Sequence, residues 1–291
     1  MSQFTYARAR SVDEALALLS DTREKSTPLA GGTDLLVNLR KTPPSFTRVV
    51  DVRRVPEMRQ IKLQDGHIVI GAAVSYTQVS ESALLEQHAT CLAQAARTVG
   101  GPAIANMGTL GGNVASAASW ADAVPPLICL DAQAYVCSTA GARTVPVAHL
   151  IAAPHRTHLQ PDELIAHFVL PVPHPETRTV FLKLGRRNAQ TLSRVNLAAA
   201  LRQDEAGRIT FARLVVGAVV PIAQRFESVE ALLLNQVPSS ELMTTAAEHA
   251  ARELMQRVGK HWAIEYDMRA LKALVLRALR ALVNTSVPNS A

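Results

Sequence analysis

Apolar positions recur with two different periods along the chain, and these periods predict three successive blocks of structure. Residues 11–20 begin with a serine that can cap a helix and carry apolar side chains on one face, so they predict a short helix. Residues 28–30 and 48–52 are short apolar runs that predict strands. Residues 1–55 therefore form a first block that combines strands with helices.

The second block is richer in strands. Residues 60–63 and 67–70 flank Asp65-Gly66, a pair that favours a two-residue hairpin turn. Three further strands are predicted at 134–137, 143–147 and 164–170, and a helical stretch is predicted from about 83 to 99. The run Pro171-Val172-Pro173-His174-Pro175 then ends the last strand, because each proline removes a backbone donor and fixes φ. We place a domain boundary there.

The third block is predicted to hold three strands and then three helices. The strands are expected at 180–184, 196–203 and 208–216, and the helices at 226–235, 239–258 and 266–283. The domains are accordingly residues 1–175, with subdomains of about 1–55 and 56–175, and residues 176–285. The expected fold class is α+β.

Composition and charge narrow the functional classes. Hydrophobic residues make up 48% and charged residues 19%, and no apolar run reaches the roughly 18 residues of a membrane span. The net charge of +6 is scattered and aromatics total 4%, a pattern that does not favour nucleic-acid binding. Three cysteines without metal-ligand spacing, and an N-terminus unlike a signal peptide, predict a cytoplasmic protein.

Two glycine pairs are the candidates for binding chemistry. The first lies in Thr27-Pro28-Leu29-Ala30-Gly31-Gly32-Thr33-Asp34, where an apolar run meets two residues without Cβ. Amide N–H groups there suit the anionic oxygens of a pyrophosphate. The same residues also suit an ordinary strand–turn–helix corner with Thr33 or Asp34 as the N-cap. The second pair lies in Gly108-Thr109-Leu110-Gly111-Gly112-Asn113. The presence of two such segments favours a pyrophosphate-binding cradle over an ordinary strand–turn–helix corner.

The order of these motifs resembles a known family. The fingerprints G-x-G-x-x-G and G-x-x-x-x-G-K-[ST] are absent, which argues against a Rossmann dehydrogenase and a P-loop kinase. Instead, Leu29 to Leu35 and Thr109 to Asn113, with Asp122 nine residues later, resemble the paired FAD motifs of the molybdenum hydroxylase flavoproteins. These are the FAD-binding (medium) subunits of the xanthine dehydrogenase and carbon monoxide dehydrogenase type. The resemblance covers nearly the whole chain.

The resemblance implies a fold and a cofactor site. The fold is a two-subdomain FAD-binding domain of the vanillyl-alcohol-oxidase (PCMH) type, followed by the flavoprotein C-terminal domain. The first motif would wrap the FAD pyrophosphate and the second would close the cradle; neither a catalytic residue nor a metal ligand is implied. The implied cofactor-binding residues are Thr27, Pro28, Leu29, Ala30, Gly31, Gly32, Thr33, Asp34, Thr109, Leu110, Gly111, Gly112, Asn113, Asp122, Ile165 and Lys183.

Three of these positions have structural alternatives. Asp122 would accept a hydrogen bond from a ribose or other FAD hydroxyl, or it would cap the helix before Pro125. Ile165 would line the flavin pocket or simply belong to the strand core. Lys183 matches an aromatic-x-Lys element near the flavin, or it is a solvated strand lysine; Phe181 replaces the tyrosine of some members.

The function implied is electron transfer within a larger complex. A molybdenum cofactor would lie on a large subunit and [2Fe-2S] clusters on a small subunit, assembled as a dimer of heterotrimers, with NAD, oxygen or another compound as acceptor. Two alternatives stay open: a self-contained FAD-dependent oxidase or reductase, and a non-catalytic scaffold or maturation factor. The substrate of the complex stays open as well.

Overall fold

The computed structural model of the chain describes residues 4–187 and 190–283. Its first part holds β1 (Thr5–Arg8), α1 (Val12–Ser20), β2 (Ser26–Leu29), α2 (Leu35–Asn38) and β3 (Arg48–Asp51). Both β1 and β2 pair in parallel with β3, which is therefore the central strand. Since the carboxyl ends of parallel strands meet at one edge, the loops after Leu29 and Asp51 lie at the same edge of this sheet.

The second part is an antiparallel sheet with helices around it. A 3-10 helix (Pro56–Arg59) precedes the sheet strands β4 (Ile61–Gln64), β5 (His67–Gly71), β6 (Gln133–Ser138), β7 (Gly141–Pro146) and β10 (Leu164–Pro171), in the order β4-β5-β10-β6-β7. The helices are α3 (Tyr76–Glu81), α4 (Ala83–His88), α5 (Thr90–Arg97), α6 (Pro102–Met107), α7 (Leu110–Ser116), α8 (Val124–Cys129) and α9 (Val147–Leu150). A small hairpin joins β8 (Ile151–Ala153) and β9 (Arg156–Thr157).

The helical stretch predicted over about 83–99 consists of two helices, α4 and α5. Ala89 between them has φ −140° and ψ 44°, outside the helical region, and it is fully buried. Leu85 of α4 and Leu92 of α5 both lie in the core that the first 170 residues form. Periodicity alone does not report such a break, since alanine suits either state.

The third part holds β11 (Arg178–Gly185), β12 (Ser193–Gln203), β13 (Ile209–Gly217), β14 (Gln224–Arg225), α10 (Glu227–Leu233), α11 (Ser240–Val258) and α12 (Ile264–Leu282). The predicted three-stranded sheet carries a fourth strand, β14, which pairs with β13. Two residues are too few for a strand pattern to be recognised in a sequence.

The sheet of the third part is buried on both faces. Along β12, Leu197 and Ala199 pack with the C-terminal helices, whereas Ala198 and Ala200 belong to the core of the first 170 residues. This double burial explains why β12 is apolar at five successive positions, from Leu197 to Leu201. The sheet therefore joins the two cores.

The α+β class is confirmed, and the boundary at 175 stays a prediction. Residues 1–3 of the first predicted domain, and residues 188–189 and 284–285 of the second, lie outside the described residues. Within the described part of the chain, no helix is long and apolar enough to cross a membrane.

Candidate functional site

The first glycine segment follows β2 at the carboxyl edge of the parallel sheet. Thr27, Pro28 and Leu29 lie in β2 and pair with β3, and Ala30 leads into the glycines. Gly32 has φ +71°, a conformation that favours glycine. Among residues 4–187 and 190–283, none accepts a hydrogen bond from the N–H groups of Gly31, Gly32, Thr33 and Asp34. Four successive amide donors are thus available to a ligand.

The second glycine segment uses its amide donors within the protein. Leu110 N donates to Val74 O (3.0 Å), and Gly111 N donates to Ala72 O (2.8 Å). Thr109 caps α7, because its Oγ1 accepts from Gly112 N at 3.1 Å. Asn113 N donates to Thr109 O. These bonds hold α7 firmly against the edge of the second sheet.

The two segments lie against each other across the subdomains. The backbone of Gly31 packs directly on the carbonyl of Met107 and on Gly108 Cα, so that a Cβ at residue 31 would overlap them. Gly108 in turn packs on the ring of Tyr76, whose Cε2 would lie 2.9 Å from a Cβ at residue 108. The glycines therefore permit a close approach that no other residue allows.

Tyr76 is a polar group of this region that the sequence did not indicate. Its side chain is 4% exposed, and its hydroxyl makes no hydrogen bond to any residue in the described part of the chain. Burial, followed by the negative charge of Asp122, raises the pKa of Tyr76 well above its usual value. The hydroxyl therefore stays protonated. The hydroxyl oxygen keeps contact with the surface, so solvent or a bound ligand can supply its partner.

Asp122 and Lys183 form a buried ion pair. Lys183 Nζ donates to Asp122 Oδ2 at 2.6 Å and to Thr98 O at 3.2 Å, and the side chains are 10% and 7% exposed. Ser193 Oγ and Asn196 Nδ2 both donate to Asp122 Oδ1. The carboxylate comes from the second part of the chain and its three donors come from the third part. The pair thus joins the two parts beside the glycine segments.

The second glycine segment also supports the loop that carries Asp122. Asn113 Oδ1 accepts a hydrogen bond from Ala123 N at 3.2 Å, and Ala123 begins the turn into α8. The amide of Asn113 therefore helps to fix the backbone next to the carboxylate. Neither Ser193 nor Asn196 was indicated by the sequence, although a polar residue within the apolar strand β12 was a usable signal.

Ile165 lies in the core of the second sheet. It is 4% exposed in β10 and pairs with Val136 of β6, and the register shifts between Ile165 and His167. The next residue, Ala166, accepts a hydrogen bond through its carbonyl from Ala72 N, and Ala72 O accepts from Gly111 N. This chain of backbone hydrogen bonds connects Ile165 to the second glycine segment.

Two family models match this chain. Residues 2–173 match the FAD binding domain in molybdopterin dehydrogenase, and residues 180–282 match the CO dehydrogenase flavoprotein C-terminal domain. The chain belongs to the molybdopterin dehydrogenase FAD-binding family. It is a flavoprotein subunit of an oxidoreductase, with an FAD-binding domain followed by a flavoprotein C-terminal domain, as the sequence predicted.

Relatives of this FAD-binding subunit extend over the whole chain. It is 28% identical to the xanthine dehydrogenase FAD-binding subunit of Escherichia coli O157:H7 over 282 residues, which cover 96% of both proteins. It is 30% identical to the 6-hydroxypseudooxynicotine dehydrogenase complex subunit alpha of Paenarthrobacter nicotinovorans over 288 residues, which cover 98% of this chain and 96% of the relative.

A solved structure of the same kind is similar in fold. It is the carbon monoxide dehydrogenase from Hydrogenophaga pseudoflava that lacks the Mo-pyranopterin moiety of the molybdenum cofactor. The TM-score is 0.88 at 26% identity, and the match covers 96% of this chain and 97% of that one. The agreement in fold therefore includes both the FAD-binding domain and the C-terminal domain.

Proposed function

We propose that this subunit transfers electrons inside a multi-subunit molybdenum hydroxylase. When bound, FAD would supply the redox chemistry, which is electron transfer from [2Fe-2S] clusters on a partner subunit to NAD, oxygen or another acceptor. The observation that carries the proposal is the set of four amide donors from Gly31 to Asp34, which have no acceptor among the described residues and are held against the second glycine segment. Backbone donors without a protein partner suit a pyrophosphate.

The residues present fit this cofactor, and we propose a role for each group. The amides of Gly31 to Asp34 would hold the pyrophosphate, with Thr27 to Ala30 setting the direction of the loop. From the second segment, the hydroxyl of Thr109 and the amide of Asn113 would face the cofactor, while the backbone of Leu110, Gly111 and Gly112 supports them. Because residue 31 is a glycine and has no Cβ, the two segments lie close enough together to contact one ligand.

We propose that Asp122, Lys183 and Ile165 contribute to the part of the site that holds the flavin ring of FAD. Lys183 is held by Asp122 and by Thr98 O, so its ammonium has a fixed position from which it can stabilise negative charge. Asp122 would accept from a cofactor hydroxyl in addition to its three protein donors. Ile165 would present an apolar surface from β10. None of these roles needs an acid–base pair within this chain.

The names of the relatives support a proposal about the partner subunits of this chain. A complex subunit alpha and an FAD-binding subunit belong to assemblies with further chains. We propose a molybdenum-cofactor-binding large subunit and an iron–sulfur small subunit, assembled as a dimer of heterotrimers. We also propose a cytoplasmic location, which the three buried free cysteines support because thiols persist in a reducing compartment.

Purification of the chain with its flanking gene products tests the proposal. We expect two further subunits to copurify and a bound flavin whose absorbance bleaches when the substrate of the large subunit is added. FAD that bleaches with a small substrate in the isolated chain would instead indicate a self-contained oxidase or reductase. Protein that neither carries flavin nor takes up added FAD would contradict the assignment and favour a scaffold.

A further inference from the structure

A small cavity lies where the FAD-binding domain meets the C-terminal sheet, and none of the residues that we propose to hold FAD lines it. One wall is formed by the end of α8 and by the linker after β10, and the other by β11, β12 and β13. Its volume is about 150 Å³, below the roughly 300–1,000 Å³ of sites for larger organic ligands. Six lining side chains carry nitrogen or oxygen atoms: Asp131, His174, Thr177, Thr179, Arg202 and Arg213.

The strand register places both arginines on the same face of the C-terminal sheet. Thr179 pairs with Ala200, and Ala200 pairs with Arg213. Arg202 pairs with Phe211, two residues away in each strand. Side chains two residues apart share a face, and this face packs on the core of the first 170 residues, which includes Ala200. Both arginines therefore lie on the side of the sheet that faces the FAD-binding domain.

The protein satisfies these two arginines only in part. Arg213 Nη1 donates to Cys129 O at 2.8 Å and lies 2.7 Å from Asp131 Oδ2. Arg213 Nε, however, is buried and has no hydrogen-bond partner within the described residues. Arg202 Nε donates to Thr210 Oγ1 at 3.3 Å, and Arg202 forms no ion pair with any residue from 4–187 and 190–283. One carboxylate thus accompanies two guanidinium groups, and the cavity keeps positive charge.

The ring of Phe211 lies beside both guanidinium groups. Its centroid is 5.1 Å from Arg213 Cζ and 5.9 Å from Arg202 Cζ, so one aromatic side chain helps to position both cations. Two like charges near one ring repel each other, and an anion between them would relieve that repulsion. A guanidinium also offers planar donors that match the oxygens of a phosphate or a carboxylate.

The remaining polar groups of the cavity are mostly donors as well. Glu176 N donates to His174 Nδ1 at 3.3 Å, so the neutral imidazole carries its proton on Nε2. Thr179 Oγ1 accepts from Cys91 N at 3.1 Å, and its hydroxyl hydrogen has no acceptor in the described part of the chain. An anion could accept hydrogen bonds from these groups, whereas a cation would find a single carboxylate.

We infer that this cavity binds a small oxyanion, either inorganic phosphate or a short carboxylate. Arg202 would supply the main contact, because its guanidinium has no acidic partner in the described chain, and the threonine hydroxyls would add hydrogen bonds. The volume of about 150 Å³ admits such an ion but not a nucleotide. Since the two walls belong to different domains, the bound anion would also stabilise their contact.

Calorimetric titration of the full-length, FAD-saturated chain with inorganic phosphate tests this inference. Saturation with FAD keeps phosphate out of the proposed pyrophosphate cradle. We expect phosphate to bind, and Arg202→Gln to weaken its binding at least about tenfold, because a charge-assisted contact is removed. The control is Arg178→Gln, since Arg178 is an exposed arginine at the start of β11 whose position in the strand places it on the opposite face from Thr179. Thermal melting checks that each variant is folded.

A parallel titration with acetate identifies the kind of anion. Binding that depends on Arg202 with phosphate alone would assign the cavity to a phosphate, and with acetate alone to a carboxylate. If the wild type binds neither ion, or if Arg202→Gln binds as tightly as the wild type, the inference is wrong. Normal FAD content in the same samples would then leave the proposed function standing, whereas phosphate binding that depends on Arg202 in a chain that takes up no FAD gives the reverse result.

Discussion

Gly31-Gly32 and Gly111-Gly112 lie against neighbouring backbone in the same part of the molecule, but their amide groups have different partners. The N–H groups from Gly31 to Asp34 make no hydrogen bond within the described residues, whereas those from Leu110 to Asn113 all donate to protein acceptors. The first segment keeps its donors available. The second uses its donors to fix α7 and the loop beyond it. A glycine pair can therefore either present the backbone to a ligand or let the backbone pack on itself.

This difference between the segments predicts that substitutions in them will affect two separate properties, cofactor binding and folding stability. Changes in the first segment should reduce cofactor retention more than they reduce folding stability. Changes in the second segment, and in the groups it supports, should reduce stability first. The flavin-free chain is the right material for the stability measurements, because bound cofactor stabilises the folded state by mass action.

The largest effect is expected at Asp122, whose loop the second segment supports. Asp122→Ala should lower the free energy of unfolding by about 3–5 kcal/mol, because it leaves the buried ammonium of Lys183 without its counter-charge. Adding Lys183→Met should recover part of the loss. Urea unfolding measures both variants. The matched control is the Glu248–Lys272 pair, which is about half exposed, and Glu248→Ala should change stability little. Equal losses at the two pairs would show that burial does not matter here.

The next effect is expected at Gly111, inside the second segment. A Cβ at this position would lie 2.6 Å from Ala72 Cβ and 2.7 Å from Ala72 O, so the helix and the sheet edge must separate. Gly111→Ala should therefore lower the free energy of unfolding by about 1–3 kcal/mol. Gly101→Ala is the control, because its added Cβ would meet only the end of the Gln190 side chain, which can move aside. If both variants unfold at the same urea concentration, the close packing of Gly111 is not important.

The first segment is tested by Gly32→Val, which should weaken FAD binding at least about tenfold, equal to about 1.4 kcal/mol. The valine distorts a backbone with φ +71° whose amides are the proposed phosphate donors. Gly207→Val is the control, since Gly207 has φ +76° in a turn between β12 and β13. Both variants carry similar backbone strain, so only loss of flavin from the Gly32 variant supports the cradle. Normal flavin content in that variant would place the cradle elsewhere.

Much of this architecture could be predicted because its signals are local. The helix predicted at 239–258 begins at Ser240 and ends at Val258, since its apolar stripe and its serine cap lie within one continuous segment. Both glycine pairs were evident for the same reason, and the family follows from their order. The strand β14 and the interruption at Ala89 could not be predicted, because neither changes the local pattern of apolar positions.

The partners of the site residues are not local. Ser193 and Asn196 lie 71 and 74 residues from Asp122, and the pairing of β11 with β12 brings them to it. The acceptors of Leu110 N and Gly111 N are carbonyls beyond β5, so the sequence of the second segment does not tell whether its amides are free. Two stretches that both contain Gly-Gly thus differ through contacts that only the folded chain makes.

The smallest effect is expected from the two threonines that accompany the glycine pairs. Thr109→Val should lower the free energy of unfolding by about 1 kcal/mol, because the cap on Gly112 N is lost while the side-chain volume is kept. Thr33→Val should leave stability nearly unchanged, since the hydroxyl of Thr33 makes no hydrogen bond with the described residues. Thermal unfolding of the flavin-free variants measures the difference. A stability loss at Thr33 as large as that at Thr109 would mean that the first segment is also held by its side chains, and the division of roles between the two segments would then be wrong.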